Sequence, residues 1–409
     1  MANKRQLNGG DYLMLAFDYE LRRRQFAGNN CQIILELAAP ADADALRQHV
    51  RTALEKFPFL AARPAGFNQP HWQPVPLQPQ VRQHTILPDL LNEPLDLRHG
   101  ELFRFDLAGT TVVFTWAHAL MDAKAAEHFV TGLGRGDFTG MSAAPSVGTV
   151  NPFGKQLAGA RQASGYITQF SQKPPRPFHP PDRQQPPRLS YHVDKFTGEE
   201  TAQIRANAAK ACGFLNTAQF DAATTLFELH RLHQRLNTGS PSYLFPLPVG
   251  LRPKGSLEPL FSNQIAMLML QFFPAEFESL TAVVAALKSK TENAMRNGHL
   301  DHYVLLAEFS RYLPVPVCLA IMKYKIGGEL ASIFYGDAGT VNPALSEFLG
   351  VPVTDVIHLA AVLESPGLGV IFGRFKNQLR LTTVHNPRLL TAAAAAQFAA
   401  DLRHRLLTP

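Results

Sequence analysis

Residues 111–129 read TVVFTWAHALMDAKAAEHF, an apolar run rich in β-branched and aromatic residues that stops at His118 and gives way, four residues on, to Asp122. The run has the composition of a strand, and LFRFDLAGTTVVFTW (102–116) sets a second strand before it across Ala108-Gly109, which predicts a hairpin. A short helix is expected at 122–133. His118 thus stands where a buried strand ends, and Asp122 where a helix begins. On the spacing alone the plainer reading leads: a core histidine followed by an N-capping aspartate. The sharper reading makes His118 a base, because a neutral imidazole accepts a proton near pH 7. Of the 15 histidines, only His118 has an aspartate four residues on.

The chain has 409 residues, 46% hydrophobic and 18% charged, which describes a globular protein of two or three lobes at about 150 residues each. Its longest nearly apolar stretches, such as IAMLMLQFF (265–273), fall short of the ~20 residues a membrane span needs. The N-terminal MANKRQLNGGDYLML has no signal-peptide pattern. Cys31, Cys212 and Cys318 are odd in number and far apart, so they read as reduced thiols in a cytoplasmic protein, with no metal spacing. A net charge of +6 favours anionic partners, although the only compact basic run is LRRRQF (21–26), read as a turn or helix end.

The chain divides at SQKPPRPFHPPDRQQPPR (171–188), where prolines leave neither helical nor alternating period; an extended linker is expected. Residues 1–170 form the first lobe and 189–409 the second, each an α/β unit of mixed strands and helices. In the first, CQIILELA (31–38) is a strand, and 42–57 is an amphipathic helix with Leu46, Val50 and Leu54 on one face. In the second, strands are expected at 189–195, 242–251, 263–273, 330–335, 355–363, 367–375 and 377–385. Helices are expected near 198–211, 216–236, 279–296, 302–311 and 316–325, and at the alanine-rich end.

The order of segments carries more weight than the His118 spacing. LRQHVRTALEKFPFLAARP (46–64) precedes LNEPLDLRHGELFRFDL (91–107) and the His118 segment, and PLPVGLRPKGSLEPLFSNQIAMLMLQFFP (246–274), SIFYGDAG (332–339) and the last strands follow. Over nearly its whole length this series resembles the chloramphenicol acetyltransferase-like superfamily: condensation domains, wax ester synthases and polyketide-associated acyltransferases. The resemblance implies two similar lobes, each a mixed sheet with flanking helices, facing each other across a channel with the His-x-x-x-Asp motif at its centre. It further implies transfer of an acyl group from a thioester, carried by coenzyme A or a phosphopantetheinyl carrier protein as co-substrate, to a hydroxyl or amine. No permanently bound cofactor or metal is expected, and a monomer suffices.

By the same resemblance His118 is the general base, while Asp122 turns away and pairs with an arginine, for which Arg252 in PVGLRP (248–253) is the candidate. Arg252 also reads as a surface residue at a strand end. Trp116, Ala117, Ala123, Asn263, Gly336 and Asp337 are candidates for the channel lining, and Trp116 reads also as core packing. Many relatives have a second histidine at the place of Ala117 and a glycine at Ala123; the alanine methyl is expected to crowd a tight turn. Gly336 and Asp337 stand where relatives often show Ser or Thr and then Asn, so no hydroxyl donor to an oxyanion is evident. Ala117, Ala123 and Gly336 also motivate a second reading, a degenerate member that binds a carrier protein or ligand without transfer. His230 and His233 in ELHRLHQRL (228–236) lack a third convergent ligand and read as surface residues. No Gly-x-Ser-x-Gly elbow is present, and LASIFYGDAGTVN (330–342) lacks the lysine of a phosphate loop.

Overall fold

The structure, a computed structural model, describes residues 5–66, 68–76, 80–142, 151–213, 217–253 and 255–409. It opens with β1 (Arg5–Gln6), α1 (Gly9–Arg23), β2 (Asn30–Leu37) and α2 (Ala43–Lys56). α1 starts with a reciprocal cap: the Asn8 side chain accepts the Asp11 N–H at 2.7 Å, and the Asp11 carboxylate accepts the Asn8 N–H at 3.1 Å. LRRRQF is the end of this helix, and Arg22, Arg23 and Arg24 pair there with Asp18 and Glu20. α2 is capped by Asp42 and buries Leu46, Val50 and Ala53 along one stripe.

Three short strands follow, β3 (Ala62–Ala65), β4 (His71–Pro74) and β5 (Val81–Gln83), then β6 (Phe103–Ala108), β7 (Thr111–Ala117), α3 (Ala123–Arg135) and α4 (Phe153–Gln169). β6 and β7 pair antiparallel across a two-residue turn in which Gly109 takes φ +54°, a left-handed angle that costs glycine least. Residues 173–189 contain no helix or strand and lie along the second lobe. There the Asp182 amide donates to the Arg388 carbonyl, Arg388 Nε donates to the Gln185 carbonyl, and Phe178 is buried.

The second half runs β8 (Ser190–Lys195), α5 (Gly198–Cys212), α6 (Thr217–Arg235), β9 (Tyr243–Gly250), β10 (Ile265–Phe272), α7 (Leu280–Arg296), α8 (His299–Ser310) and α9 (Val315–Ile326). It closes with β11 (Phe334–Thr340), β12 (Glu347–Phe348), β13 (Val351–Ala360), β14 (Leu368–Phe375), β15 (Gln378–His385) and α10 (Ala392–Leu407). The strand expected at 330–335 starts only at Phe334. Before it, the Ser332 hydroxyl and amide, rather than a ladder, hold Leu244.

Two mixed sheets result, ordered β12-β13-β2-β7-β6-β5 and β11-β14-β15-β8, each with one parallel pair. A β9-β10 ribbon stands beside the second. The first core gathers around Phe103, Phe105, Phe114 and Phe129, the second around Phe220, Phe245, Phe372 and Phe398. The molecule is thus α/β with two lobes. The division at 171–188 is not clean, however, because β12 and β13 return to the first sheet, Val353 to Ala360 pairing with Leu37 to Cys31. The cause lies in β2: β7 satisfies one edge of this buried strand, and the N–H and C=O groups of the other edge need a partner.

Candidate active site

β7 is held on both sides, by β2 and β6, so the residue after it has a fixed origin. The His118 N–H donates to the Asn29 carbonyl at 2.9 Å, and the Asn263 side-chain amide donates to the His118 carbonyl at 2.8 Å. Trp116 stacks on Phe114 and donates its indole N–H to the Met121 carbonyl at 3.0 Å, tying the loop 118–121 down from inside. The position of His118 therefore rests on main-chain bonds before its own ring makes any.

Asp122 caps α3 through Oδ1, which accepts the Ala125 N–H at 3.1 Å. Its Oδ2 accepts Arg252 Nη1 at 2.6 Å and the Gln264 N–H at 2.9 Å, and the carboxylate is fully buried. The rest of the Arg252 guanidinium donates to the Leu257 and Pro259 carbonyls at 3.2 and 3.0 Å, which shapes the loop leading to Asn263. Asn263 in turn donates twice to Asp11 Oδ1, from its amide at 2.7 Å and its side chain at 3.0 Å. Burial raises the Asp11 carboxyl to about 7, although Asn263, Asn8 and Arg5 all pull it down. The chain of contacts runs from Arg252 through Asp122 on one side of the histidine loop and from Asp11 through Asn263 on the other.

Ala123 is the first residue of α3 and follows an extended Asp122 (φ −83°, ψ 173°), so its methyl sits in ordinary helical geometry without the crowding expected of it. The His118 ring is half-buried. Among the described residues its Nδ1 is enclosed without a hydrogen-bond partner and none bonds to Nε2, which leaves Nε2 as the nitrogen open to a substrate. Burial pushes the imidazole below its ordinary value; its own carbonyl, the Asp122 charge and Asn263 pull the other way without overcoming it. The ring is therefore neutral at pH 7.

A cleft of about 1020 Å³ opens between the lobes beside this loop. Asp122, Lys124 and Glu127 of the first lobe and Leu247, Arg252, Ile265, Leu287, Tyr335 and Asp337 of the second are on its wall. Trp116, Ala117, Asn263, Ala123 and Gly336 are not, and neither is His118, although Asp122 at the end of its loop is. Trp116 and Ala117 face packed core, and Asn263 is turned to Asp11 and the His118 carbonyl. Gly336 lies in β11 opposite Ile371 and offers no side chain.

Sequence reasoning passed over the cleft residues Lys124, Glu127 and Tyr335 and the support residues Asn8 and Asp11. Asn8-x-x-Asp11 ahead of an apolar stretch was a signal for the last two. Lys124 donates to Glu127 and, at 2.7 Å, to the Thr340 carbonyl, joining α3 to β11. Glu127 is buried, with His358 Nε2 2.9 Å away. At the other end, Arg374 is shared by Asp337 and Asp221, and burial raises the Asp221 carboxyl to about 7.

Among the described residues no group of three His, Cys, Asp or Glu side chains is placed to hold a metal ion. His230 and His233 are buried rather than on the surface: they bond to Tyr243 Oη at 2.8 Å and Thr238 Oγ1 at 2.5 Å, and burial pushes His233 down to about 3. α6 has to cover the second core, so its histidines serve as packed rings. Burial raises the thiols of Cys31, Cys212 and Cys318, which leaves them protonated and unreactive at neutral pH.

No family model matches the sequence, and no curated protein does. Solved structures do. Trichothecene 15-O-acetyltransferase from Fusarium sporotrichioides is similar with a TM-score of 0.70 at 11% identity, over 99% of this chain and 95% of that one. The first condensation domain of the calcium-dependent antibiotic synthetase is similar with a TM-score of 0.68 at 15% identity, over 100% and 97%. Polyketide synthase associated protein 5 from Mycobacterium tuberculosis gives 0.66 at 14% identity, over 99% and 97%. At such identities the likeness is one of fold: the chain has the two-lobed chloramphenicol acetyltransferase-like architecture along its full length.

Proposed function

We propose that the chain is an acyltransferase that moves an acyl group from a thioester to a hydroxyl or amine, with His118 as general base. The observation that carries this is the ring itself: neutral at pH 7, enclosed at Nδ1, open at Nε2, and fixed at the end of a strand beside an interlobe cleft. The fold supports it, since an acetyltransferase and condensation domains share this architecture. In the step, Nε2 takes the proton of the acceptor as its oxygen or nitrogen attacks the thioester carbonyl. The tetrahedral adduct then expels the sulfur, which recovers the proton from Nε2. No covalent acyl-enzyme is required. Acyl-coenzyme A or a phosphopantetheinyl carrier protein is the donor this chemistry calls for, and Lys288 on the cleft wall suits its phosphates.

The test is acceptor-dependent thiol release from a panel of acyl-coenzyme A donors with mixed alcohols and amines. Transfer by the native chain supports the proposal; a donor that binds without any release favours the degenerate binding protein instead. The pH dependence is a second check. Because burial lowers the His118 pKa, the base loses its proton below the ordinary 6.5, so kcat/KM stays level through pH 7 and falls only below 6.5. An acid limb at or above 6.5 contradicts the assignment. Replacing Asn263 with Ala removes the amide that holds the His118 carbonyl, and is expected to lower kcat by about 10²-fold with KM little changed. A rise in KM alone would place Asn263 in substrate binding.

A further inference from the structure

We infer that the outward face of α9 is a docking face for an anionic lipid surface. A helix on the outside of a globular protein normally turns charges to water. α9 does the reverse: its exposed residues are Pro316, Val317, Ala320, Ile321 and Tyr324, which share one side at spacings of three, four and seven. Val317 and Ile321 are each 44% exposed and Tyr324 83%. The inner side is also apolar, with Cys318, Leu319 and Ile326 buried against the body of the protein.

The charges on the helix itself have one sign, and Glu329 beyond its end accepts from the Ser365 hydroxyl. Residues 315–326 contain no Asp or Glu, only Lys323 and Lys325. Lys323 reaches Glu20 at 2.6 Å, the buried carboxylate that also holds Arg23 and Arg24 at the end of α1; Arg24 is shared with the buried Glu364, which Arg183 and Arg388 hold as well, so five cations stand over two acids. At the C-terminal end Gly327 lies against Pro174, beside the exposed Lys173. An apolar stripe with a tyrosine and a rim of Lys and Arg matches the layers of an anionic bilayer interface, where acyl chains meet the stripe and phosphates the rim. With 12 residues α9 is too short to cross a bilayer, and among the described residues no helix is long and apolar enough to do so; α9 therefore lies on the surface. This inference does not depend on His118.

The experiment is co-sedimentation of the full chain with vesicles of phosphatidylcholine, alone or mixed with phosphatidylglycerol. Binding to the mixed vesicles is expected, weakened by salt and weaker still on phosphatidylcholine alone. The double variant Val317→Asp/Ile321→Asp is expected to bind about tenfold less or worse. Both positions face outward, so its circular dichroism and melting should match the native chain, and Lys325→Glu provides a milder variant at the rim. Equal sedimentation of native and double-variant protein, or none with either vesicle, overturns the inference. So does a native dimer in light scattering that the double variant splits into monomers, which would give the face to a second copy.

Discussion

Replacing His118 with Ala lowers acceptor-dependent thiol release by about 10²–10⁴-fold, the range a positioned general base contributes, while donor binding changes little. The prediction is clean because of how the loop is held. The His118 N–H and carbonyl are bonded to Asn29 and Asn263 through main-chain atoms that alanine keeps. Asp122, Arg252 and the strand behind them make no bond to the ring. The ring is half-buried, so its loss leaves the fold intact and the missing rate reports the missing proton acceptor. His118→Gln restores much of the volume and a hydrogen-bonding group without a basic nitrogen, and it should be as slow as alanine. If either variant turns over within a few-fold of the native chain, the base lies elsewhere.

The parts of this site that the sequence makes legible are those written locally. The β6–β7 hairpin, the end of β7 at His118 and the start of α3 at Asp122 follow from composition, alternation and a cap within 30 residues. The ends of α2 and α10 are equally plain, since Asp42 and Thr391 cap apolar stripes. What escapes is non-local. No pattern in 351–360 announces that it will pair with β2 rather than stay with β14, because an apolar strand fits either edge. Trp116 reads from sequence as either core packing or a channel residue beside the motif, and only the stack on Phe114 and the bond to Met121 place it in the core. Lys124 acquires its place in the cleft only when β11 arrives to offer the Thr340 carbonyl. The contact between Asp122 and Arg252 spans 130 residues, and a resemblance in the order of segments, rather than spacing, is what points to the arginine.

Removing the Asp122 carboxylate has the largest expected effect on stability. Asp122→Ala leaves the Arg252 guanidinium, only 11% exposed, without its counter-charge and leaves the Gln264 and Ala125 amides without acceptors. Breaking one side of such a pair costs about 3–5 kcal/mol. The same residue is also an N-cap, and a lost cap alone accounts for about 0.5–2 kcal/mol. Asp122→Ser separates the two roles, since serine caps a helix as well as aspartate does but cannot balance Arg252. If Asp122 is a cap and nothing more, the serine variant unfolds in denaturant like the native chain and keeps its rate. If it is the clamp the geometry describes, serine loses most of what alanine loses. The rate falls with it, because Arg252 then no longer anchors the loop that carries Asn263 to the His118 carbonyl. Arg252→Met completes the cycle: with the partner already gone, Asp122→Ala should cost markedly less than in the native chain, and the difference measures the pair. Additive losses would mean that the ion pair, although 2.6 Å long and buried, does not hold the histidine loop in place.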